Sequence, residues 1–420
     1  MTEVGGASSF SGASTGPIAR SSVARVGVAT ALTALCGYAV IYLAARDLAP
    51  AGFSVFGVFW GAFGLVTGAA NGLLQETTRE IRAVRYAEIV AGRRTHPLRV
   101  AGTVGVVAAV VIAGSSPLWS GQVFAGARWL SVALLSVGLA GFCVHATLLG
   151  MLAGANRWTQ YGALMVTDAV IRVAVAMAAF VIGWGLAGYL WATVAGAIAW
   201  LIMMIASPTT RSAGRMLTPG GTATFLRGAA HSITAAGASA ILVMGFPVLL
   251  KATSAQLGAA GGVVILAVTL TRAPLLVPLT AMQGNLIAHF VDERTDRLRA
   301  LIAPAVVVAG IGALGVVAAG LVGPWLLRMG FGPDYHATSA LLAWLTAAAV
   351  AIAMLTLTGA AAVAAALHRA YALGWVGATV ASTLLLLLPV PLETRTVIGL
   401  LFGPLVGIAV HLAALARPRG

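Results

Sequence analysis

The chain predicts an all-α polytopic membrane protein, with about twelve transmembrane helices in two six-helix lobes around a central cavity. Three observations lead there. Hydrophobic residues make up 60% of the 420 positions and charged residues 9%, and the mean hydropathy of +0.98 is far beyond what a soluble core requires. The apolar residues fall in runs of about 20, the length that spans a hydrocarbon layer. The basic residues, which give the net charge of +14, crowd into alternate loops. That sorting argues against a nucleic-acid partner and, by the positive-inside rule, places both termini in the cytoplasm.

Taken in order, residues 1–17 are rich in Ser, Gly and Ala and carry no basic stretch ahead of an apolar core. Residues 1–22 therefore read as a disordered cytoplasmic tail, not a cleaved signal peptide. The N-terminal lobe, 23–206, takes spans at 23–44, 51–73, 100–120, 129–153, 162–183 and 186–206. Residues 207–227, with Pro208, Pro219, Gly220 and Gly221, form a cytoplasmic linker. The C-terminal lobe, 228–420, takes spans at 229–250, 261–288, 300–322, 340–366, 373–391 and 396–415. A faint echo, Leu48–Gly52 after the first span and Thr253–Gly258 after the seventh, ends each time in a glycine opening the next helix and suggests duplication.

Span two carries Gly57, Gly61, Gly64, Gly68 and Gly72, a small-residue stripe that predicts close helix contact. Beyond it, Gln75–Val90 either continues as an amphipathic helix with Ile81, Val84 and Ile89 on one side, suited to anionic headgroups, or is a basic loop whose arginines set the topology.

Intramembrane charge is where chemistry is expected. A cation at mid-span costs roughly 2.5–3.5 kcal/mol on insertion scales, so it faces water or a partner. Arg272 is such a cation, and its helical neighbours Val268, Thr269, Leu275 and Leu276 offer no acid. It either lines a cavity and recognises an anion or pairs with an acid on another helix, such as Asp168. Pro274 and Pro278 each remove a backbone donor, which predicts a kink beside it. Asp168 and Arg172 lie four apart on span five and share a face. They are a neutralising structural pair, or a coupling site at which protonation of Asp168 frees Arg172 for an anion. Arg25, Gln75, Glu76 and Arg79 stand at cytoplasmic span ends, where they snorkel to headgroups or together gate an anionic headgroup. Arg272, Arg172, Arg25 and Arg79 are thus the candidate substrate-binding residues, and Asp168, Glu76, Pro274 and Pro278 the candidate coupling or gating residues.

Other chemistries are disfavoured. Cys36, Cys143, His145, His231, His289 and His411 sit singly and read as packing residues, so no metal or other cofactor is expected. The one lysine, Lys251, does not follow a glycine, which leaves no Walker A motif. The outer loops hold only the isolated acids Asp47, Asp334 and Glu393, too few for a glycosyltransferase, and no enzymatic activity is expected.

Four stretches carry a family resemblance: Arg46–Phe53 after span one, Gly154–Trp158 before span five, Arg272–Pro274 in span eight and Phe331–Tyr335 before span ten. They resemble the polysaccharide-biosynthesis flippases of the MOP superfamily, the group of the Wzx-type O-antigen translocases. The resemblance implies two lobes around a V-shaped cavity, alternating access, and export of a polyprenyl-diphosphate-linked saccharide across a bacterial cell membrane. It also implies a cavity lined by basic residues, a role that Arg272 matches best. The implied partners are that lipid-linked saccharide, membrane lipids and polysaccharide-synthesis enzymes. A twelve-span chain has fewer spans than the lipid II branch, which favours a cell-wall or surface polysaccharide intermediate over a peptidoglycan precursor. Two competing readings are a multidrug or small-solute exporter of the same superfamily and a non-transporting scaffold for polymer-synthesis enzymes.

Overall fold

Backbone that cannot be hydrated inside lipid must satisfy its own hydrogen bonds, and this chain does so almost entirely with helices. The computed structural model describes residues 20–83, 94–282, 286, 289–290 and 297–417. Its first half comprises α1 (Arg20–Asp47), α2 (Pro50–Ala83), α3 (Pro97–Val123), α4 (Arg128–Gly154) and α5 (Trp158–Ile182). The sixth span is α6 (Gly185–Ala195) and α7 (Ala199–Ala206), joined by a 3₁₀ turn at Gly196–Ile198. A short α8 (Pro208–Gly214) follows. The second half comprises α9 (Thr222–Val243), α10 (Phe246–Ala252), α11 (Gly258–Ala281), α12 (Arg297–Phe331), α13 (Ser339–Ala364), α14 (His368–Leu386) and α15 (Leu392–Leu415).

Local signals set many of these ends. Pro97 occupies the first turn of α3, Gly183 closes α5 in the left-handed conformation, and the Thr338 side chain caps α13 by accepting from Leu341 N–H. The only strands among the described residues, β1 (Arg94–Thr95) and β2 (Thr218–Pro219), pair antiparallel. They tie the chain ahead of α3 to the expected linker 207–227, which also holds α8.

Among the described residues ten helices are long and apolar enough to cross a membrane, or eleven when the bent pair α9 and α10 counts as one span. The sequence expects twelve. The shortfall is the eleventh expected span, 373–391, which appears as α14. Its 19 residues reach roughly 28 Å, about the hydrocarbon thickness. His368, Arg369, Thr379, Ser382 and Thr383 dilute its hydropathy, and it is covered by α15.

In the first half α1 packs on α5, α3 and α2 on α4, and α5 on α6. In the second half α12 packs on α13, α13 and α14 on α15, and α11 on α13. The seam between halves is α2 against α9, α10 and α11. The glycine stripe of α2 forms that seam. A Cβ at Gly57 would stand 2.7 Å from Ile265 of α11, one at Gly61 3.0 Å from Pro247 of α10, and one at Gly68 2.7 Å from Ala240 of α9. A side chain at Gly72 would meet the backbone of Ser232 and Ile233. Backbone cannot swing aside as a rotamer does, so Gly72→Val is expected to part α2 from α9. We expect it to cost at least the ~1–3 kcal/mol typical of overpacking, read as a lower melting temperature in detergent. Gly27→Val is the control, because nothing lies within 4 Å of a Cβ there.

The helix after span two is not an interfacial segment over its described length. α2 runs on to Ala83, and Ile81 is fully buried against Gly154 of α4, with Thr77 against Gly150. Its apolar side is occupied by protein and not by headgroups. Val84 and Ile89 lie outside the described residues.

Candidate functional site

Two sequence features break span seven. Gly245 follows the end of α9, and Pro247 lies in the first turn of α10. The two helices meet at 67°. Pro247 has no N–H, so the carbonyl four residues earlier, that of Val243, loses its helical donor. Arg272 of α11 supplies the replacement: its Nη1 donates to Val243 O at 3.1 Å and to Leu242 O at 3.5 Å. A cation at a helix C-terminus also meets the favourable end of the helix dipole. The guanidinium carbon stands 5.2 Å from the centre of the Phe246 ring. Arg272 is 8% exposed, and its Nη2 has no hydrogen-bond partner. Tyr38 of α1 lies within electrostatic reach, so the arginine stands where both halves meet.

This placement revises one expectation. Asp168 is not the partner of Arg272. The irregular backbone beside the arginine belongs to α9 and α10, whereas α11 runs unbroken from Gly258 to Ala281 through Pro274 and Pro278. A proline need not end a helix when the turns around it stay bonded. Here Thr271 and Thr280 add side-chain bonds to Ala267 O and Leu276 O on either side.

Asp168 and Arg172 do pair: Arg172 Nη2 donates to Asp168 Oδ1 at 3.0 Å, and Nε stands 3.0 Å from Oδ2 as an ion-pair contact without the alignment of a hydrogen bond. The 3₁₀ turn of span six makes room, because a side chain at Gly196 would collide with both residues. Phe63 of α2 lies 5.5 Å from the Arg172 guanidinium. His145 of α4, buried and stacked on Phe142 at 5.4 Å, is within electrostatic reach of the pair. All these residues belong to the first half, so the pair sits inside that bundle, away from Arg272.

At the arginine-rich end, Glu76 is buried and accepts from Arg79 Nη2 at 2.6 Å and from Ser232 Oγ at 3.4 Å. Gly228 of α9 leaves space for its carboxylate, so this acid links the two halves. Arg79 also contacts Glu80 at 3.1 Å, and its side chain is 65% exposed. Arg25 stands apart, donating to Thr159 Oγ1 of α5 at 2.9 Å. The residues grouped from sequence therefore divide into a link across the seam and a separate contact within one half.

At the other end, aromatic residues join the halves. Tyr42 meets Phe331 at 5.6 Å, Phe331 meets Tyr335 at 6.1 Å, and Tyr335 meets Phe53 at 6.1 Å, all edge-on. Tyr335 OH donates to Leu48 O at 3.2 Å. Burial, and after it the Asp334 carboxylate, push the Tyr335 phenol above its usual pKa, so it stays a donor. Among the described residues no group of His, Cys, Asp and Glu is arranged to hold a metal ion.

No known family model matches the chain. An uncharacterized protein of Mycobacterium bovis is 79% identical over 99% of this chain and 98% of its own length. An uncharacterized protein of Mycobacterium tuberculosis is 79% identical over 99% of this chain and 96% of its own length. The chain belongs to this mycobacterial family. Among solved structures, an inward-facing multidrug resistance MATE family transporter of the MOP superfamily matches with a TM-score of 0.71 at 16% identity, over 94% of this chain and 98% of that one. The outward-facing conformation of a MATE family transporter of the superfamily matches at 0.65, also at 16% identity, over 94% of this chain and 96% of that one. A MOP superfamily transporter from Pyrococcus furiosus, described by the reverse polarity of its binding pocket, matches at 0.62 and 14% identity, over 94% of this chain and 96% of that one. The mycobacterial family protein thus has the MATE-like fold of the MOP superfamily. The superfamily expected from the short motifs is present at the level of the fold.

Proposed function

We propose that this mycobacterial family protein is an alternating-access flippase that carries a polyprenyl-diphosphate-linked saccharide from the cytoplasmic to the outer leaflet. Arg272 carries the reading. Its buried guanidinium holds a helix break with one nitrogen and keeps Nη2 without a partner. An anionic cargo gains that donor edge without having to break an ion pair, and guanidinium matches phosphate oxygens two at a time. A cationic cargo would need a free acid at mid-span, and Asp168 is already engaged by Arg172. A diphosphate-sugar headgroup cannot cross ~30 Å of hydrocarbon unaided, so a protein must replace its water.

The direction follows from charge and conformation. The arginine-rich end is cytoplasmic in this reading, with both termini there. The fold matches an inward-facing transporter at 0.71 against 0.65 for an outward-facing one. This supports loading from the cytoplasm. The exposed Arg79 and Arg25 are entry charges, Glu76 is a latch across the seam, and Asp168 with Arg172 is the coupling pair. Enzymes that polymerise the exported saccharide are the partners that draw transport forward.

The test is mass spectrometry of polyprenyl-linked saccharides in cells depleted of the protein, with a probe for the leaflet that holds them. One M. tuberculosis strain carries two proteins of the family, so both are depleted in that species. One intermediate is expected to accumulate on the cytoplasmic side. An unchanged lipid pool with normal surface polymer overturns the reading. A drug exporter is the second reading, favoured by the multidrug resistance transporters that share the fold. It predicts raised drug susceptibility with lipid intermediates unchanged.

A further inference from the structure

The second half holds a cavity that the mechanism above does not use. α11, α12 and α13 enclose about 530 Å³, walled by Leu270 and Pro274 of α11, Gly315 and Leu326 of α12, and Leu342 and Thr346 of α13. Thr271 and Thr346 are its only polar side chains, and both hydroxyls are already bonded within their own helices, to Ala267 O and Leu342 O at 2.8 Å each. No side-chain donor or acceptor of the wall is left unmet, and so apolar a lining disfavours ordered water. Its size falls in the range of small-molecule sites.

The cavity exists because α12 stands away from α11. α12 is 35 residues long, about 50 Å at 1.5 Å per residue, well beyond the ~30 Å of hydrocarbon. It leans on α13 through small residues, with Gly312 facing Val350 and Gly323 facing Leu342, and meets α11 only sparsely. Its other side is bare, with Leu314 75% and Leu321 78% exposed. Leu326 lines the cavity and is also exposed, so the space opens sideways between helices that lie in the hydrocarbon.

Its arginine-poor end carries charge. Arg328 lies one residue past Leu327 of the cavity wall, with Nε directed at Pro324 O, 3.4 Å away. Arg46 of α1 reaches over Gly332, where a Cβ would stand 3.9 Å from its Nη1. Among the described residues no carboxylate lies within 4.0 Å of either guanidinium. An apolar slot open to hydrocarbon, with two unpaired cations at headgroup level, is complementary to one kind of molecule.

We propose that this groove binds one hydrocarbon chain of a phosphate-headed lipid, in the leaflet at the arginine-poor end, with the phosphate seated between Arg46 and Arg328. Arg46 belongs to the first half and Arg328 to the second, so the bound lipid bridges the halves beside the Tyr42 and Phe331 contact and favours closure of that end. The site does not depend on the cargo proposed above.

The test uses the full chain in phosphatidylglycerol nanodiscs doped with a phosphatidylglycerol that carries a mid-chain diazirine, followed by irradiation and peptide mapping. Label is expected on Ala267 and Leu270 of α11, behind α12, as well as on its bare side at Leu314 and Leu321. Gly315→Leu and, separately, Ala318→Leu should fill the groove and lower α11 labelling several-fold while the bare side labels as before. Retained labelling of Leu314 and Leu321 reports that the variants fold. Arg46→Gln with Arg328→Gln should lower α11 labelling by the phosphatidylglycerol probe but not by a diazirine diacylglycerol, which lacks phosphate. Label confined to the bare side of α12 overturns the groove. Labelling of α11 that ignores both arginines overturns the phosphate seat. The readout is crosslinking and not transport, so failure of the flippase reading leaves this result interpretable.

Discussion

Arg272→Ala is expected to abolish transport and to lower the melting temperature of the purified protein. The substitution removes the donor held by Val243 O and Leu242 O at the broken end of α9. A buried polar group left without its partner costs roughly 1–3 kcal/mol, and the vacated volume adds to that. Arg272→Lys keeps a charge but loses the planar fork, and partial transport is expected. Two roles are entangled in this residue, and Pro247 separates them. Pro247→Ala restores a backbone N–H four residues after Val243, so the break no longer needs the arginine. The double variant Arg272→Ala with Pro247→Ala is expected to regain thermal stability and still fail to complement a depleted strain. Full complementation by it, or by Arg272→Ala alone, removes Arg272 from cargo recognition and leaves it a cap for the broken helix.

The second large effect is expected at Asp168. Asp168→Ala leaves Arg172, whose side chain is only 15% exposed, beside Phe63 and Gly196 with no countercharge. Breaking a buried pair on one side costs roughly 3–5 kcal/mol, whereas replacing both partners by apolar side chains is often neutral. Asp168→Ala should therefore be recovered at low yield, and Asp168→Leu with Arg172→Met at normal yield. Transport decides what the pair is for. If it couples an ion to movement, the double variant folds and does not transport, which is the result we expect. Wild-type transport in the double variant makes the pair a purely structural device.

Much of the fold is legible in the amino-acid sequence. The run 100–120 reads as a span because its own residues are apolar, and α3 covers it. Asp168 and Arg172 read as a pair because four residues are about one helical turn. The glycines of α2 read as a contact stripe because they recur on one face. Other signals are present but weaker: Gly245 and Pro247 mark the break in span seven, and Gly196 marks the 3₁₀ turn that admits the Asp168 pair. His145 reads from sequence as an isolated packing residue, because nothing adjacent along the chain shows that α5 brings Asp168 near it.

The division has a physical origin. Membrane insertion and helix formation sum over neighbouring residues, so composition, loop charge and short spacings suffice to specify an all-α polytopic chain and where most of its spans lie. What a buried cation binds is decided by groups that folding brings together from distant positions. Arg272 and Val243 are 29 residues apart, and Tyr335 and Leu48 are 287 apart. It takes the packed bundle to settle that Arg272 holds a broken helix instead of pairing with Asp168, that Glu76 spans the seam while Arg25 stays within one half, and that α12 leaves a groove against α11. Each outcome depends on which helix packs beside which, and that choice balances contacts over the whole bundle.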